Sequence, residues 1–323
     1  MISCTEFIPL YSELFRFLEE KNGYDAVLDY WHFISSQGIS DKNNIYSLIS
    51  FLERDKDNPI EGAWKYWCKS LSEEACDMLR IYDPERKIIA DYMRHCPSRG
   101  MLNDLQHIEP YHAYCEHCNV IYEPTLNAYG LESRSDHSGI CQAQCRSILF
   151  EAGKDPGYDL STLDPKDLIH DGVQVIDMKA EDNKYLHRDF HFHGDLALRY
   201  LGEHYGEDTV RSFLTDYANR YYSPVLDDAK VRGLPALKEW IEKVYEIEEA
   251  SDLITFDLTD TSLTVSIEKS PAIDYLRSTG YEVSKYYIEQ TRTLYAAMAK
   301  TLGMGFELKA YDADGKAEFV FTV

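Results

Sequence analysis

No cysteine occurs after Cys145, in a chain of 323 residues that carries eight of them. Basic residues are also scarce: 33 Lys and Arg stand against 56 Asp and Glu, a net charge of −23. A field of that sign repels polyanions, so neither nucleic acid nor an anionic membrane surface is an expected partner. No apolar run approaches the roughly 18 residues of a membrane span, and the opening MISCTEFIPLYSELF lacks the basic stretch that begins a secretory leader. The expectation is a cytoplasmic protein. Thiols stay reduced there, so the cysteines are read as ligands, reactive groups or small buried hydrophobes rather than as a disulfide framework. A phosphate-cradling glycine loop and a dinucleotide fingerprint are both missing, and no nucleotide cofactor is indicated.

What is present is a core-forming composition, 44% hydrophobic with 25 Tyr and 13 Phe, written twice. FRFLEEKNGYDAVLDYW (15–31) matches LRYLGEHYGEDTVRSFL (198–214), with Gly23 over Gly206. EEACDMLRIYD recurs as EEASDLITFD, CPSRGML faces SPAIDYL, and YHAYCEHCNVIYEPTLNAYGLE lies over SKYYIEQTRTLYAAMAKTLGM, with Tyr122 over Tyr295. Four blocks in one order imply a tandem duplication: a first repeat over 1–150, a connector over 151–185 and a second, cysteine-free repeat over 186–323.

Each copy opens with an amphipathic helix, apolar at Phe7, Leu10, Leu14, Phe15 and Leu18 and stopped by Gly23. Alternating stretches follow (MLRIYD with KIIADYM, LITFDL with SLTVSIE), then another helix and a closing strand pair, GLESRS with CQAQCRSILF. The predicted fold is α+β: two repeats, each an antiparallel sheet with helices on one face, packed as an internal pseudo-dimer.

Residues 95–145 hold Cys96, Cys115, Cys118, Cys141 and Cys145 together with His95, His107, His112, His117 and His137; the matching stretch of the second repeat holds neither residue type. Helical spacing puts Cys115 and Cys118 on the stripe of Tyr111, Tyr122, Leu126 and Tyr129. A strand running from Cys141 would place Cys141, Ala143 and Cys145 on one face. Ile288, Thr291, Ala317 and Phe321 stand near these positions in the second repeat, so plain core packing explains inward cysteines equally well. The asymmetry favours a site in the first repeat. Pro124 should kink or end the helix just past the cysteines, where the second repeat has Ala297 or a neighbour.

Two chemistries fit. C-x2-C followed by C-x3-C supplies Cys115, Cys118, Cys141 and Cys145 as a thiolate set for zinc, with His112 or His137 as substitutes. Alternatively Cys118 or Cys115 is a nucleophile with His112, His117 or His137 as base, acting on a small-molecule substrate. The run CEHCN lacks the histidine of a c-type haem site. A second group, His187, His191 and His193 in HRDFHFHGD, falls at the start of the second repeat's first helix, where His191 lies over Ile8 and His193 over Leu10, and is read as core or cap.

The stretch CPSRGMLNDL…YCEHCNVIYEPTLNAYGLE…SGICQAQCRS resembles the L-2-amino-thiazoline-4-carboxylic acid hydrolase-like family, with Cys96, Cys115 and Cys145 at that family's three cysteines and Gly139 near its glycine. Cys118 replaces an Asp of the family pattern, Arg146 and Ser147 replace its Asp-Phe, and the chain is doubled. The resemblance implies a hydrolase cleaving a C–N bond of a small heterocycle or amide-like substrate; joined to the reading of the residues, it gives a site built from Cys96, Cys115, Cys118, Cys141 and Cys145, with Cys118, Cys96 and His137 as catalytic candidates. A weaker similarity to zinc-binding 4-vinyl reductase-type domains implies instead a non-catalytic, zinc-stabilised small-molecule sensor or binding protein.

Overall fold

In the computed structural model, which describes residues 1–42 and 44–323, the opening amphipathic helix runs from Phe7 to Asn22 (α1). It ends at Gly23, whose φ of 85° suits a residue without Cβ. The chain continues through α2 (Tyr24–Ile34), α3 (Leu48–Arg54) and α4 (Pro59–Glu73). The hairpin β1 (Asp77–Asp83) and β2 (Ile88–His95) follows, then α5 (Pro97–Asp104). Where the sequence predicts one helix over the CEHC motif, the structure breaks it into a 3-10 turn at Tyr114–Glu116, α6 (His117–Val120) and α7 (Glu123–Ala128). Pro124 sits in the first turn of α7, where its missing N–H costs nothing. Strands β3 (Leu131–Asp136), β4 (Cys145–Glu151) and β5 (Gln174–Met178) complete an antiparallel sheet in the order β3-β4-β2-β1-β5.

The second copy contains α8 (Asp189–Tyr205), α9 (Glu207–Tyr221), α10 (Ser223–Arg232), α11 (Leu234–Ile247), β6 (Ile254–Leu258), β7 (Ser262–Ile267), α12 (Pro271–Ser278), α13 (Glu289–Leu302), β8 (Gly305–Tyr311) and β9 (Ala317–Thr322). Its antiparallel sheet has the order β6-β7-β9-β8. Without β5 the first sheet reads β1-β2-β4-β3, the same order, so the duplication seen in the sequence is a duplication of topology. The fold is α+β with two sheets, consistent with two repeats.

Two compact units result. One comprises Met1–Phe17, Gln106–Glu109 and Leu186–Val323; the other comprises Leu18–Leu105 and Pro110–Tyr185. The first residues of the chain therefore belong with the second repeat: the Tyr217 hydroxyl donates to the Glu6 carbonyl at 2.9 Å, and Phe7 meets Phe190 at 4.7 Å. Residues 151–185, read from the sequence as a connector, are built into the cysteine-bearing unit. β5 pairs with β1 from Met78↔Met178 to Tyr82↔Gln174.

Each sheet buries one face under its helices. In the cysteine-bearing unit Tyr82, Ile89, Leu149 and Leu131 pack with Leu48, Leu52, Ile60, Trp64 and Leu126. The opposite face differs between copies. In the first sheet it carries Leu79, Ile81, Ile88, Ala90, Ile148 and Phe150, covered by Tyr158, Leu160, Leu163 and Leu168. In the second it carries Thr255, Asp257, Thr264, Ser266 and Glu318, which keep water contact. The added segment 151–185 exists to cover an apolar face that the second copy does not have.

Candidate thiol centre

Cys96 follows β2 and caps α5: its sulfur accepts the backbone N–H of Arg99 at 3.4 Å. Its own N–H donates to the carbonyl of Ala143 at 2.7 Å, tying the cap to the turn before β4. That turn is a 3-10 segment at Ile140–Gln142 closed by Ala143 in the left-handed region, φ 58°. The expected strand from Cys141 is thus corrected: β4 begins only at Cys145, the period-two argument does not reach Cys141, and Cys141 is exposed. Cys115 sits in the 3-10 turn and Cys118 in α6. Cys145 opens β4 opposite Met93.

Cys96, Cys115, Cys118 and Cys145 lie close enough that each pair among them interacts electrostatically, charge on one raising the pKa of the next. The fourth sulfur of the group is therefore Cys96, contributed by a helix cap, in place of Cys141. The buried Cys76, just ahead of β1, also feels Cys96 and Cys145. Among the described residues no three of the sulfurs lie within 4.8 Å of one another. They converge on one region without the separation of roughly 3.8 Å that tetrahedral Zn–S bonds of about 2.3 Å impose.

Burial is the leading influence on all four thiols. It pushes Cys96, Cys115 and Cys118 up to about 12 and moves Cys145 in the same direction. Cys118 is exposed as a residue, while the surroundings of its sulfur are desolvating enough to raise the thiol pKa. The negative charge of Glu74 adds to the shift at Cys96 and Cys118. Beside Cys118, Nε2 of His117 stands 3.8 Å from the sulfur while its Nδ1 meets the Tyr114 carbonyl. Burial lowers His117 to about 4, so its ring is neutral at pH 7.

The other histidines separate. His112 is 67% exposed at its side chain and bonds Glu19 at 2.8 Å, away from the sulfurs. His137 follows β3, half-buried, with its pKa lowered by burial and within electrostatic reach of His117. In the other unit His191 is buried and joined to Glu248 at 2.9 Å, His187 packs edge-on against Phe190, and His193 packs against Phe192. His187 and His191 are both buried.

One row along the same sheet face from Cys145 lies a set of residues that the sequence reading passed over. The registers Arg80↔Asp91, Asp91↔Ser147 and Ser135↔Ser147 place four polar side chains side by side across β1, β2, β4 and β3. The signal was available: these are inward positions of strands whose counterparts in the second repeat are apolar. The registers Phe256↔Val265, Val265↔Phe319 and Leu308↔Phe319 identify the equivalent row as Phe256, Val265, Phe319 and Leu308.

No family model, no curated protein and no solved structure matches the chain.

Proposed function

We propose that the cysteine-bearing unit is a small-molecule-binding module whose Cys96, Cys115, Cys118 and Cys145 hold a zinc ion, the protein acting as a non-catalytic binding or sensing protein. The observation that supports this reading is the convergence of four thiols from three stretches of the chain, the cap of α5, the turn and helix over Tyr114–Val120 and the start of β4, each thiol raised in pKa chiefly by burial. A nucleophilic thiol needs the opposite, a neighbour that stabilises its thiolate. A metal ion reverses the situation by taking the place of the protons, and four sulfurs match a structural zinc site in number and kind, although binding would have to draw them closer than they stand. Metal content of protein purified without chelator tests it: about one zinc per chain, lost in Cys118→Ser and kept in Cys141→Ser, is the expected result. Metal-free protein from zinc-replete medium overturns it.

A second reading, hydrolysis of a C–N bond in a small substrate, is favoured by one contact, the neutral His117 ring 3.8 Å from the Cys118 sulfur. On that reading Cys118 is the nucleophile and His117 its base. It requires Cys118 to alkylate faster than the exposed Cys141 at neutral pH.

A further inference from the structure

In the second repeat the helix-facing side of the sheet is closed. Val265, Ile267, Ala317 and Phe319 are between 0% and 4% exposed, and Tyr295 stacks down on Phe319 at 4.9 Å with Trp240 beside it at 5.7 Å. The first repeat keeps the corresponding aromatic pair, Trp67 and Tyr122 at 5.3 Å, packed against the core on the helix-facing side of its own sheet. Asp91, Met93, Cys145 and Ser147, at the positions of those four residues, all retain accessible surface. Exchanging Phe for Ser at position 147 and Val for Asp at position 91 removes volume and adds polarity in one place. That exchange leaves room for a hollow in the first repeat where the second is packed.

Arg80 closes one end of this hollow. It is 1% exposed, and its Nε and Nη1 have no hydrogen-bond partner. Nε lies 3.0 Å from Oδ1 of Asp91, an ion pair that is not aligned as a hydrogen bond, so neither atom has a hydrogen-bond partner. The guanidinium carbon stands 5.2 Å from the Trp64 ring and 5.6 Å from the Trp67 ring. The ion pair with Asp91 offsets part of the cost of burying the guanidinium, but its unmade hydrogen bonds remain costly unless a further group completes them. The twin's Phe256 shows that the fold itself does not require a cation there.

Resting on the small-molecule-binding reading of this unit, we infer that the hollow binds a planar monocarboxylate, its carboxylate on Arg80 and its ring between the polar floor and Trp67 and Tyr122. The planar fork of Arg80 matches a carboxylate, and aromatic walls match a flat apolar body. Glu74, near the thiols, bears negative charge, which directs the anionic end of the ligand to the Arg80 end. The chain's net charge of −23 does not forbid this, because charges farther off than a Debye length of about 8 Å are screened.

The test uses the full chain, purified with its metal, titrated with benzoate and phenylacetate and with benzamide and phenylacetamide as neutral counterparts. At least one carboxylate is expected to raise the melting temperature in a dose-dependent way while its amide does not. The variant Arg80→Phe/Asp91→Val installs the twin's own residues and is expected to fold, since replacing a buried ion pair by packed apolar groups is often neutral or stabilising. It should weaken carboxylate binding at least about tenfold. Ser147→Phe, which refills the hollow and leaves Arg80 in place, should do the same. The inference is overturned if none of the carboxylates binds, if the amides bind as well, or if either folded variant binds like the parent. Zinc content measured on the same samples keeps the two claims apart: zinc without carboxylate binding removes the pocket alone, and binding without zinc removes the metal site alone.

Discussion

Cys96 and Ser270 hold the same position in their two units: each caps the helix that follows the second strand of its hairpin, and each accepts the N–H three residues on at 3.4 Å. The second repeat shows that a hydroxyl meets the structural need, and serine is among the preferred capping residues. Sulfur at position 96 therefore answers to something other than the cap. Replacing Cys96 by Ser should leave the stability of metal-free protein within about 0.5 kcal/mol while abolishing zinc retention. Chemical unfolding with and without chelator checks both halves. A large loss of stability without metal would mean that the sulfur is there for packing.

Thiol reactivity orders the cysteines. At pH 7.5 and without metal, Cys96, Cys115 and Cys118, pushed by burial to about 12, carry almost no thiolate. Iodoacetamide labelling followed by peptide mass spectrometry should modify the exposed Cys141 first. The four clustered thiols should follow only slowly, speeding up as pH rises. Faster modification of Cys118 would move the balance to the hydrolase reading.

Stability toward acid should depend on Glu248. Burial pushes this carboxyl up, but His191 at 2.9 Å and the Cys4 N–H at 2.6 Å outweigh it, and its pKa falls below the ordinary glutamate value. A carboxylate depressed in the folded state contributes stability above its unfolded pKa of about 4.3 and loses it as pH falls through the lower folded value. Melting temperatures measured from pH 6 to pH 3 should drop below about 4.3, and Glu248→Gln should flatten that part of the curve. A curve unchanged by the substitution would assign the acid sensitivity elsewhere.

Gly62 sets how closely α4 approaches α3. A Cβ there would lie 2.8 Å from the Phe51 carbonyl oxygen and 3.2 Å from the Leu52 Cα, both backbone atoms that cannot step aside. Gly62→Ala should cost about 1–3 kcal/mol. Because α4 carries Trp64 and Trp67, it should also weaken any carboxylate bound at Arg80. Denaturant midpoints and the benzoate titration read the two effects.

The repeat, the hairpins and the break at Pro124 were legible because each is local or self-referential: strand alternation, a glycine stop and a proline all act within a few residues. The location of the thiol cluster in the first repeat was legible for the same reason, through comparison with a cysteine-free copy. Which sulfurs meet was not. Cys141 and Cys145 share a face only if the strand continues between them, and the turn at Ile140–Gln142 with Ala143 at φ 58° interrupts it. Cys96 enters the group through a hydrogen bond to Ala143, a residue 47 positions away in the chain. The row from Arg80 to Ser135 depended likewise on strand registers that join residues far apart in the chain. By itself the sequence determined that one unit is built twice and that residues 95–145 of the first copy concentrate cysteine and histidine where the matching stretch of the second has neither. The tertiary structure alone decided which of those groups stand together, because strand pairing and helix capping bring side chains together across distances that local periodicity does not encode.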